Sequence, residues 1–147
     1  MESLYFEDFE LGQEFITRSR TITEADVVAF AGLSGDFNPL HTDEEFAKKT
    51  VFGTRIAHGL LGLSIASGLI NQLGIAEKTV MAFLGLNWTF KAALKFGDTI
   101  SVRQRVLEKR ETSKTDRGIL RLAISVINQH GEVVQEGEHT LMIRRRV

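Results

Sequence analysis

The pattern of apolar and polar positions predicts two helices in the first half of the chain. Thr23, followed by acidic residues, resembles a helix N-cap, and apolar residues then recur at helical spacing at Val27, Val28, Phe30 and Ala31. Gly35 is expected just beyond the end of this helix. A longer helix, spanning ~25 Å, is predicted from about Ile56 to Leu73. Because its residues are apolar or small on every side, we expect it in the core.

The second half of the chain has the pattern of β-strands. Strand-like runs lie at residues 80–91, 99–109, 118–128 and 132–143. The second run alternates, with Ile100, Val102 and Val106 on one face. A polar hairpin loop is expected at residues 111–117, and an extended segment at residues 5–20. One buried helix followed by successive antiparallel strands indicates the α+β class.

Length and composition limit the classes of protein to consider. The chain has 147 residues, which fits one domain over 1–147. It has no cysteine, which excludes disulfides, thiolate metal sites and a cysteine nucleophile. A net charge of −1 gives no electrostatic reason to bind nucleic acid or an anionic membrane.

Targeting and membrane signals are also missing from the sequence pattern. The first residues are acidic and lack the basic start and apolar run of a secretory signal. The predicted helix at 56–73 approaches membrane-spanning length, but it contains several polar residues and is short for a span. We therefore expect a cytoplasmic protein that does not enter a membrane.

The candidate chemistry lies in the irregular, polar segment from Gly35 to Val51, which holds the chain's one proline, Pro39. Asp36 and His41 flank this proline, which restricts the backbone of its own position and of the residue before it. A carboxylate and an imidazole converging on one water can act as an acid–base pair. Spacing alone is weak evidence, since such a pair is more often solvated or part of a helix cap.

The other histidines and the basic residues have simpler interpretations. His58 is interpreted as a structural residue at the start of the long helix, in preference to a second catalytic histidine. His41 and His58 lack the spacing of a local zinc motif, and His130 and His139 fall on a turn and a strand, so no metal site is expected. The tail 144–146 could meet the phosphates of coenzyme A, but a solvated basic tail is favoured.

The longer sequence motif around Asp36 and His41 strengthens the case that this pair is catalytic. Residues 30–47, FAGLSGDFNPLHTDEEFA, closely resemble the hydratase motif of MaoC-like proteins, which include the (R)-specific enoyl-CoA hydratases. Further matches lie at residues 5–9, 56–61, 67–69 and 90–98. The resemblance therefore covers nearly the whole chain. It implies a hot-dog fold, in which an antiparallel sheet wraps around a long central helix.

The same resemblance implies roles for particular residues. Asp36 and His41 correspond to the catalytic pair that activates water and supplies a proton, with the choice of base left open. Gly59 would donate its backbone N–H to the thioester carbonyl as an oxyanion site. Ser67 would line the active site, and Asn38 would order the loop. The resemblance implies no cofactor.

Three functions follow as alternatives. The first is interconversion of 2-enoyl-CoA and (R)-3-hydroxyacyl-CoA, with an acyl carrier protein as a possible alternative carrier. The second is a hot-dog thioesterase, against which the full Asp…Asn-Pro-Leu-His string argues. The third is a non-catalytic subunit that binds acyl thioesters. A homodimer or a higher homo-oligomer is expected: the resemblance implies a homodimer, and joining sheets across a dyad covers an edge strand. The length and branching of the acyl chain stay open.

Overall fold

The computed structural model describes residues 2–146. After a 3-10 helix at Phe6–Asp8, the helices are α1 (Glu24–Ser34), α2 (Pro39–Thr42), α3 (Glu44–Ala47) and α4 (Gly59–Asn71). The strands are β1 (Glu14–Ile16), β2 (Arg20–Thr21), β3 (Val80–Phe90), β4 (Thr99–Glu111), β5 (Arg117–Ile127) and β6 (Val133–Arg144).

The strands form an antiparallel sheet in the order β1-β4-β5-β6-β3, and β2 also pairs with β4. Hairpins join β4 to β5 and β5 to β6, so the centre of the sheet is built from strands that are consecutive in sequence. β3 pairs with β6 along its length and lies at one edge of the sheet. This edge position leaves the second side of β3 without a strand partner from the described part of the chain.

The core lies between α4 and the concave side of the sheet. Alternate residues of the strands point inward, as Val102 and Val106 do from β4 and Leu122 and Val126 from β5. α4 packs against them through its buried side chains, Leu61, Ile65, Ala66 and Leu69. The expected α+β class, with an antiparallel sheet wrapped around a central helix, is confirmed.

The first long helix, α1, forms with the ends that its sequence indicates. The side chain of Thr23 accepts a hydrogen bond from the backbone N–H of Asp26, and the Asp26 carboxylate accepts one from the N–H of Thr23. This reciprocal pair satisfies two N–H groups at the helix start. Gly35 follows the helix with φ of 79°, a left-handed conformation that favours glycine.

The central helix α4 differs from its prediction at its start. It begins at Gly59, three residues after the predicted start at Ile56. Ile56 instead forms a β-bridge with Lys95, and the N–H of Ala57 donates to the carbonyl of Leu94 at 2.7 Å. These long-range backbone contacts hold the two residues in an extended conformation.

One side of α4 is also exposed, contrary to the expectation of burial all round. Leu60, Ser64 and Ser67 lie on this side at helical spacing, and Leu60 is 59% exposed. We refer to these three residues as the open face of α4. The sequence did not predict this exposed side, because α4 has no distinctly polar side. Leucine, serine and small residues occur around its whole circumference. No helix within residues 2–146 is long and apolar enough to cross a membrane.

The C-terminal arginines are folded against the N-terminal 3-10 helix. Arg145 donates to the carboxylate of Glu7 at 3.0 Å, and Arg146 pairs with Asp8. The hydrogen bond from Arg146 is the main cause that lowers the pKa of Asp8 below its ordinary value. The interpretation of this segment as a freely solvated tail is therefore wrong for these two residues.

Candidate active site

The loop after α1 places Asn38 and His41 on the short helix α2. The Asn38 side chain accepts a hydrogen bond from the N–H of Leu40 at 3.0 Å and so caps the helix. Pro39 occupies the first helical position, where the missing N–H has no cost. The N–H of Asn38 in turn donates to the Asp36 carboxylate at 3.2 Å. These bonds hold the acidic residue and the helix that carries the histidine in one compact turn.

The imidazole of His41 is fixed by a contact to the segment before α4. Its Nδ1 lies 2.7 Å from the carbonyl oxygen of Ile56. Since a carbonyl oxygen only accepts, Nδ1 carries the proton, and Nε2 of the neutral ring retains its lone pair. The ring is therefore oriented with its basic nitrogen available for proton transfer.

His58 connects α4 to the same loop. Its Nε2 donates to the backbone carbonyl of Asp36 at 2.9 Å, and its ring stacks on that of His41 with centroids 3.8 Å apart. Phe30 from α1 meets the other part of the ring edge-on at 4.9 Å. His58 is buried and directly precedes α4. The predicted position of His58 at the start of the long helix, bonded to the loop, is confirmed, and its structural role stays a prediction.

The fold thus brings His58 to the Asp36–His41 pair, which gives a group of three potential metal ligands. One ligand atom each from Asp36, His41 and His58 lies within 4.8 Å of the others. A carboxylate with two imidazoles is a ligand set that Zn²⁺ uses in proteins. The expectation of no metal site rested on the lack of a local spacing motif. A cluster that forms only when the chain folds has no such motif. That expectation remains a prediction.

Gly59 is the first residue of α4, next to the Asp36–His41 pair. The first N–H groups of a helix have no acceptor within it, and the helix dipole makes this end favourable for negative charge. No acidic residue lies in the first turn to oppose this effect. A Cβ atom at position 59 would lie 2.8 Å from the ring of Phe90, so the close packing requires glycine here. This N–H is accordingly suited to receive an oxyanion.

Ser67 lies on the open face of α4, away from the acid–base pair. It is eight residues beyond Gly59, which corresponds to ~12 Å along the helix axis. There it borders a cavity of about 150 Å³ between α4 and the sheet. A surface groove next to the open face shares Ser67, Phe83 and His139 with this cavity. The structure therefore places Ser67 on the wall of a cavity, not beside Asp36 and His41.

Besides Asn71 and Glu77, two buried polar residues that the sequence analysis did not select as site residues line the cavity. Gln104 of β4 and His139 of β6 line it among mainly apolar side chains. Gln104 occupies an inward position between Val102 and Val106. A polar residue in the apolar phase of an alternating strand was the available signal for this site.

The chain is similar to known proteins over most of its length. The family described as the MaoC like domain matches residues 8–126. The (R)-specific enoyl-CoA hydratase of Rhodospirillum rubrum is 36% identical over 144 residues, which cover 97% of this chain and 93% of the relative. The 3-hydroxybutyryl-CoA dehydratase of Methylorubrum extorquens is 36% identical over 143 residues, covering 97% and 86% of the two chains.

Two solved structures extend these similarities to three dimensions. A protein of Archaeoglobus fulgidus described as a monoamine oxidase regulatory protein has a TM-score of 0.94 at 38% identity, covering 100% of this chain and 98% of its own. Rv0216 of Mycobacterium tuberculosis, described as a double hotdog fold, has a TM-score of 0.83 at 22% identity. The match covers 98% of this chain and 45% of Rv0216. At this identity the similarity shows the fold alone.

Proposed function

The chain belongs to the MaoC-like domain family, and from this membership we propose that it interconverts 2-enoyl thioesters and (R)-3-hydroxyacyl thioesters by adding or removing water. Relatives named as an enoyl-CoA hydratase and a 3-hydroxybutyryl-CoA dehydratase support this reaction in both directions. The observation that carries the proposal is the juxtaposition of the Asp36 carboxylate and the oriented His41 imidazole beside the N-terminus of α4.

Asp36 and His41 would hold one water molecule between them. The lone pair on His41 Nε2 makes this nitrogen the candidate acceptor of a proton from that water, while the carboxylate orients it. The water oxygen bonds to C3 of the enoyl group as the C2=C3 π bond opens, and C2 receives the proton that left the water. Dehydration runs through the same steps in reverse. No cofactor is needed, because the thioester itself makes the C2 position acidic.

Gly59 would stabilise the negative charge that develops on the thioester oxygen. Its N–H lies at the positive end of α4, where a developing enolate is favoured over the neutral carbonyl of the ground state. Asn38 would act indirectly, by capping the helix that carries His41. Ser67 would line the path of the acyl chain beyond the reacting carbons. All of these roles are proposals.

We expect the variants Asp36→Asn and His41→Ala to lose hydration activity by a factor of roughly 10²–10⁴ while remaining folded. The first substitution keeps an oxygen that can accept from the N–H of Asn38, so the turn is preserved. Activity is measured as loss of the enoyl-thioester absorbance with crotonyl-CoA. His130→Ala, on an exposed turn, is the matched control and should keep full activity. Near-native turnover in both active-site variants would overturn the assignment.

The same assay separates the alternatives. Release of free thiol would indicate a thioesterase. A folded protein that binds acyl-CoA without turnover would indicate a binding subunit, a reading that the regulatory description of the Archaeoglobus fulgidus neighbour keeps open. Unchanged activity after exhaustive chelation would support the metal-free mechanism. A loss restored by Zn²⁺ would instead assign the Asp36, His41 and His58 cluster to a metal.

We further propose that residues 1–147 form one domain and that two copies associate through β3. This edge strand exposes apolar side chains, among them Val80, Phe83, Leu84, Leu86 and Phe90. An exposed apolar edge promotes pairing with another chain. The open face of α4 lies next to the same groove as Phe83 and Leu86, so a second copy would also enclose the substrate path.

A further inference from the structure

The cavity between α4 and the sheet contains two buried polar atoms that lack a hydrogen-bond partner. These atoms are Nε2 of Gln104 and Nε2 of His139, and no atom of residues 2–146 bonds to either. Both residues line the cavity, and they are only 2% and 5% exposed. Buried polar groups are bonded in the great majority of cases, so each unpartnered one calls for an explanation.

The surroundings of each residue show why the protein itself offers no partner. Gln104 is paired across the sheet with Phe15 on one side and Ile124 on the other, and neither side chain is polar. The ring of His139 lies between Phe83, at 5.0 Å edge-on, and Trp88, at 5.4 Å. Both polar side chains are therefore held among apolar neighbours in the wall of the cavity, where their unpartnered nitrogens have almost no exposed surface.

The chemistry of the two groups defines what could bind there. The amide nitrogen of Gln104 can only donate, so its partner must be an acceptor such as an oxygen. Nε2 of a neutral histidine can donate or accept, and burial lowers the pKa of His139 to about 4, which keeps the ring neutral at physiological pH. The pair therefore suits a carbonyl or a hydroxyl oxygen.

A carboxylate fits the cavity poorly. The one charged side chain among the residues that line it is Glu77, which is negative. A buried carboxylate without a cationic partner is costly, and a nearby like charge adds repulsion. The complementary group is consequently a neutral oxygen, not a terminal acid.

A groove beside α4 leads to the cavity along the open face of the helix. It follows Leu63, Ser64 and Ser67 and meets the cavity at Phe83 and His139. A thioester carbonyl held at Gly59 would lie ~12 Å along the helix from Ser67. A medium-length acyl chain in extended form covers about this distance and reaches the cavity with its distal end.

We propose that the preferred substrate is a 2-enoyl thioester whose acyl chain carries a neutral oxygen, as a hydroxyl or keto group, near its distal end, where Gln104 donates to it and His139 completes its hydrogen bonding. This inference rests on the proposed function, which places the thioester end at Gly59. Gln104 and His139 are then specificity-determining residues with no part in the proton transfers at Asp36 and His41.

The test compares the binding of saturated CoA thioesters, which need no turnover. Dissociation constants are measured by calorimetry for decanoyl-CoA, for hydroxydecanoyl-CoA and oxodecanoyl-CoA isomers substituted near the distal end of the chain, and for the decanedioyl analogue. We expect the best oxygenated isomer to bind at least ~10-fold more tightly than decanoyl-CoA, and the diacid to bind more weakly than either. In Gln104→Met and His139→Met this preference should fall to near unity. Leu141→Met, a change in the apolar wall, should retain it.

Equal affinities in the wild type, no binding of any decanoyl thioester, or an unchanged preference in both polar variants would each overturn the inference. Hydration of crotonyl-CoA tests the proposed reaction separately from the inference about the cavity, because this acyl chain is too short to reach the cavity. If the preference holds without crotonyl-CoA turnover, the reaction is wrong and the cavity assignment stands. If all variants hydrate crotonyl-CoA without an oxygen preference, the reaction stands and the cavity assignment fails. Thermal melting confirms that each variant is folded.

Discussion

Burial of His139 between Phe83 and Trp88 couples the protonation of this residue to folding. The folded-state pKa is about 4, lowered by desolvation, whereas an unfolded histidine titrates near ~6.5. Above the higher value the ring is neutral in both states and has no effect on the pH dependence. Between the two values only the unfolded chain gains a proton, so stability falls as pH falls.

We therefore expect the wild-type protein to lose up to about 3 kcal/mol of unfolding free energy through His139 as the pH drops from ~6.5 to ~4. Denaturant titrations at several pH values measure it. Carboxylates such as Asp8, whose pKa is also lowered, contribute in the same direction at lower pH. The contribution of His139 is therefore the difference in unfolding free energy between the wild type and His139→Met at each pH, because the other groups are the same in both proteins. Parallel stability curves for the two proteins would contradict this expectation.

At the scale of single residues, the sequence located the candidate acid–base pair but not the polar residues of the cavity. Asp36 and His41 lie within a long motif around one proline, and the resemblance of this motif to a family, not the spacing of the two residues, singled them out. His58 reached its position against both of them only through the fold, since its partner carbonyl is 22 residues away. Gln104 lacks a hydrogen-bond partner because its neighbours on the two adjacent strands are apolar. The local sequence around Gln104 does not show which residues these neighbours are.

Among the elements, α4 depends on a glycine inside the helix. A Cβ at Gly62 would lie 2.6 Å from Leu94 Cδ1 and would also collide with the side chain of Gln135. That side chain donates to the carbonyl of Gly59 and accepts from the indole of Trp88, so displacing it breaks two hydrogen bonds. The absence of a side chain at Gly62 thus allows α4 to pack closely against Leu94 and Gln135.

We expect Gly62→Ala to destabilise the protein by about 1–3 kcal/mol, in spite of the higher helix propensity of alanine. The matched control is Gly32→Ala in α1, where an added Cβ meets nothing within 4 Å. This control should gain ~0.5–1 kcal/mol from propensity alone. Chemical denaturation of both variants gives the comparison, and equal shifts in the two would show that the packing at Gly62 is not limiting.

The elements themselves were largely predictable, with the strand limits within one or two residues. Alternation specifies β4 and β5 because one face of each is buried and the other is partly solvated. The start of α4 was predicted three residues early, since Ile56 and Ala57 are apolar like the helix that follows. Their backbone contacts to Lys95 and Leu94 lie far along the chain and leave no trace in the local pattern.

For the whole molecule, β3 is the surface through which we propose that two copies associate. We expect the protein to sediment as a dimer, and Leu84→Lys, at a position 49% exposed in the single chain, to raise the dissociation constant at least ~10-fold, or about 1.4 kcal/mol. Leu33→Lys, at an 86% exposed position of α1, is the control and should leave the dimer intact. Analytical ultracentrifugation distinguishes the results, and a monomeric wild type would exclude association through this edge.

The α+β architecture could be predicted from pattern and motif together, whereas the exposed side of α4 could not. Hydrophobicity indicates that a surface will be covered, but it does not say by which part of which chain. Leu60, together with the apolar side of β3, satisfies the pattern of a core without being covered within a single copy. The sequence therefore predicted burial for positions that the single chain leaves exposed.

The ion pairs between the two ends of the chain have a consequence for connectivity. Glu7 and Asp8 hold Arg145 and Arg146, so the first and last described elements lie side by side. A short linker could join these ends, and the chain could be reopened in the exposed polar loop between β4 and β5, at residues 113–116. Such a circular permutant would keep every strand neighbour of the sheet. The order in which the elements follow one another is thus separable from the arrangement that brings Asp36, His41 and Gly59 together.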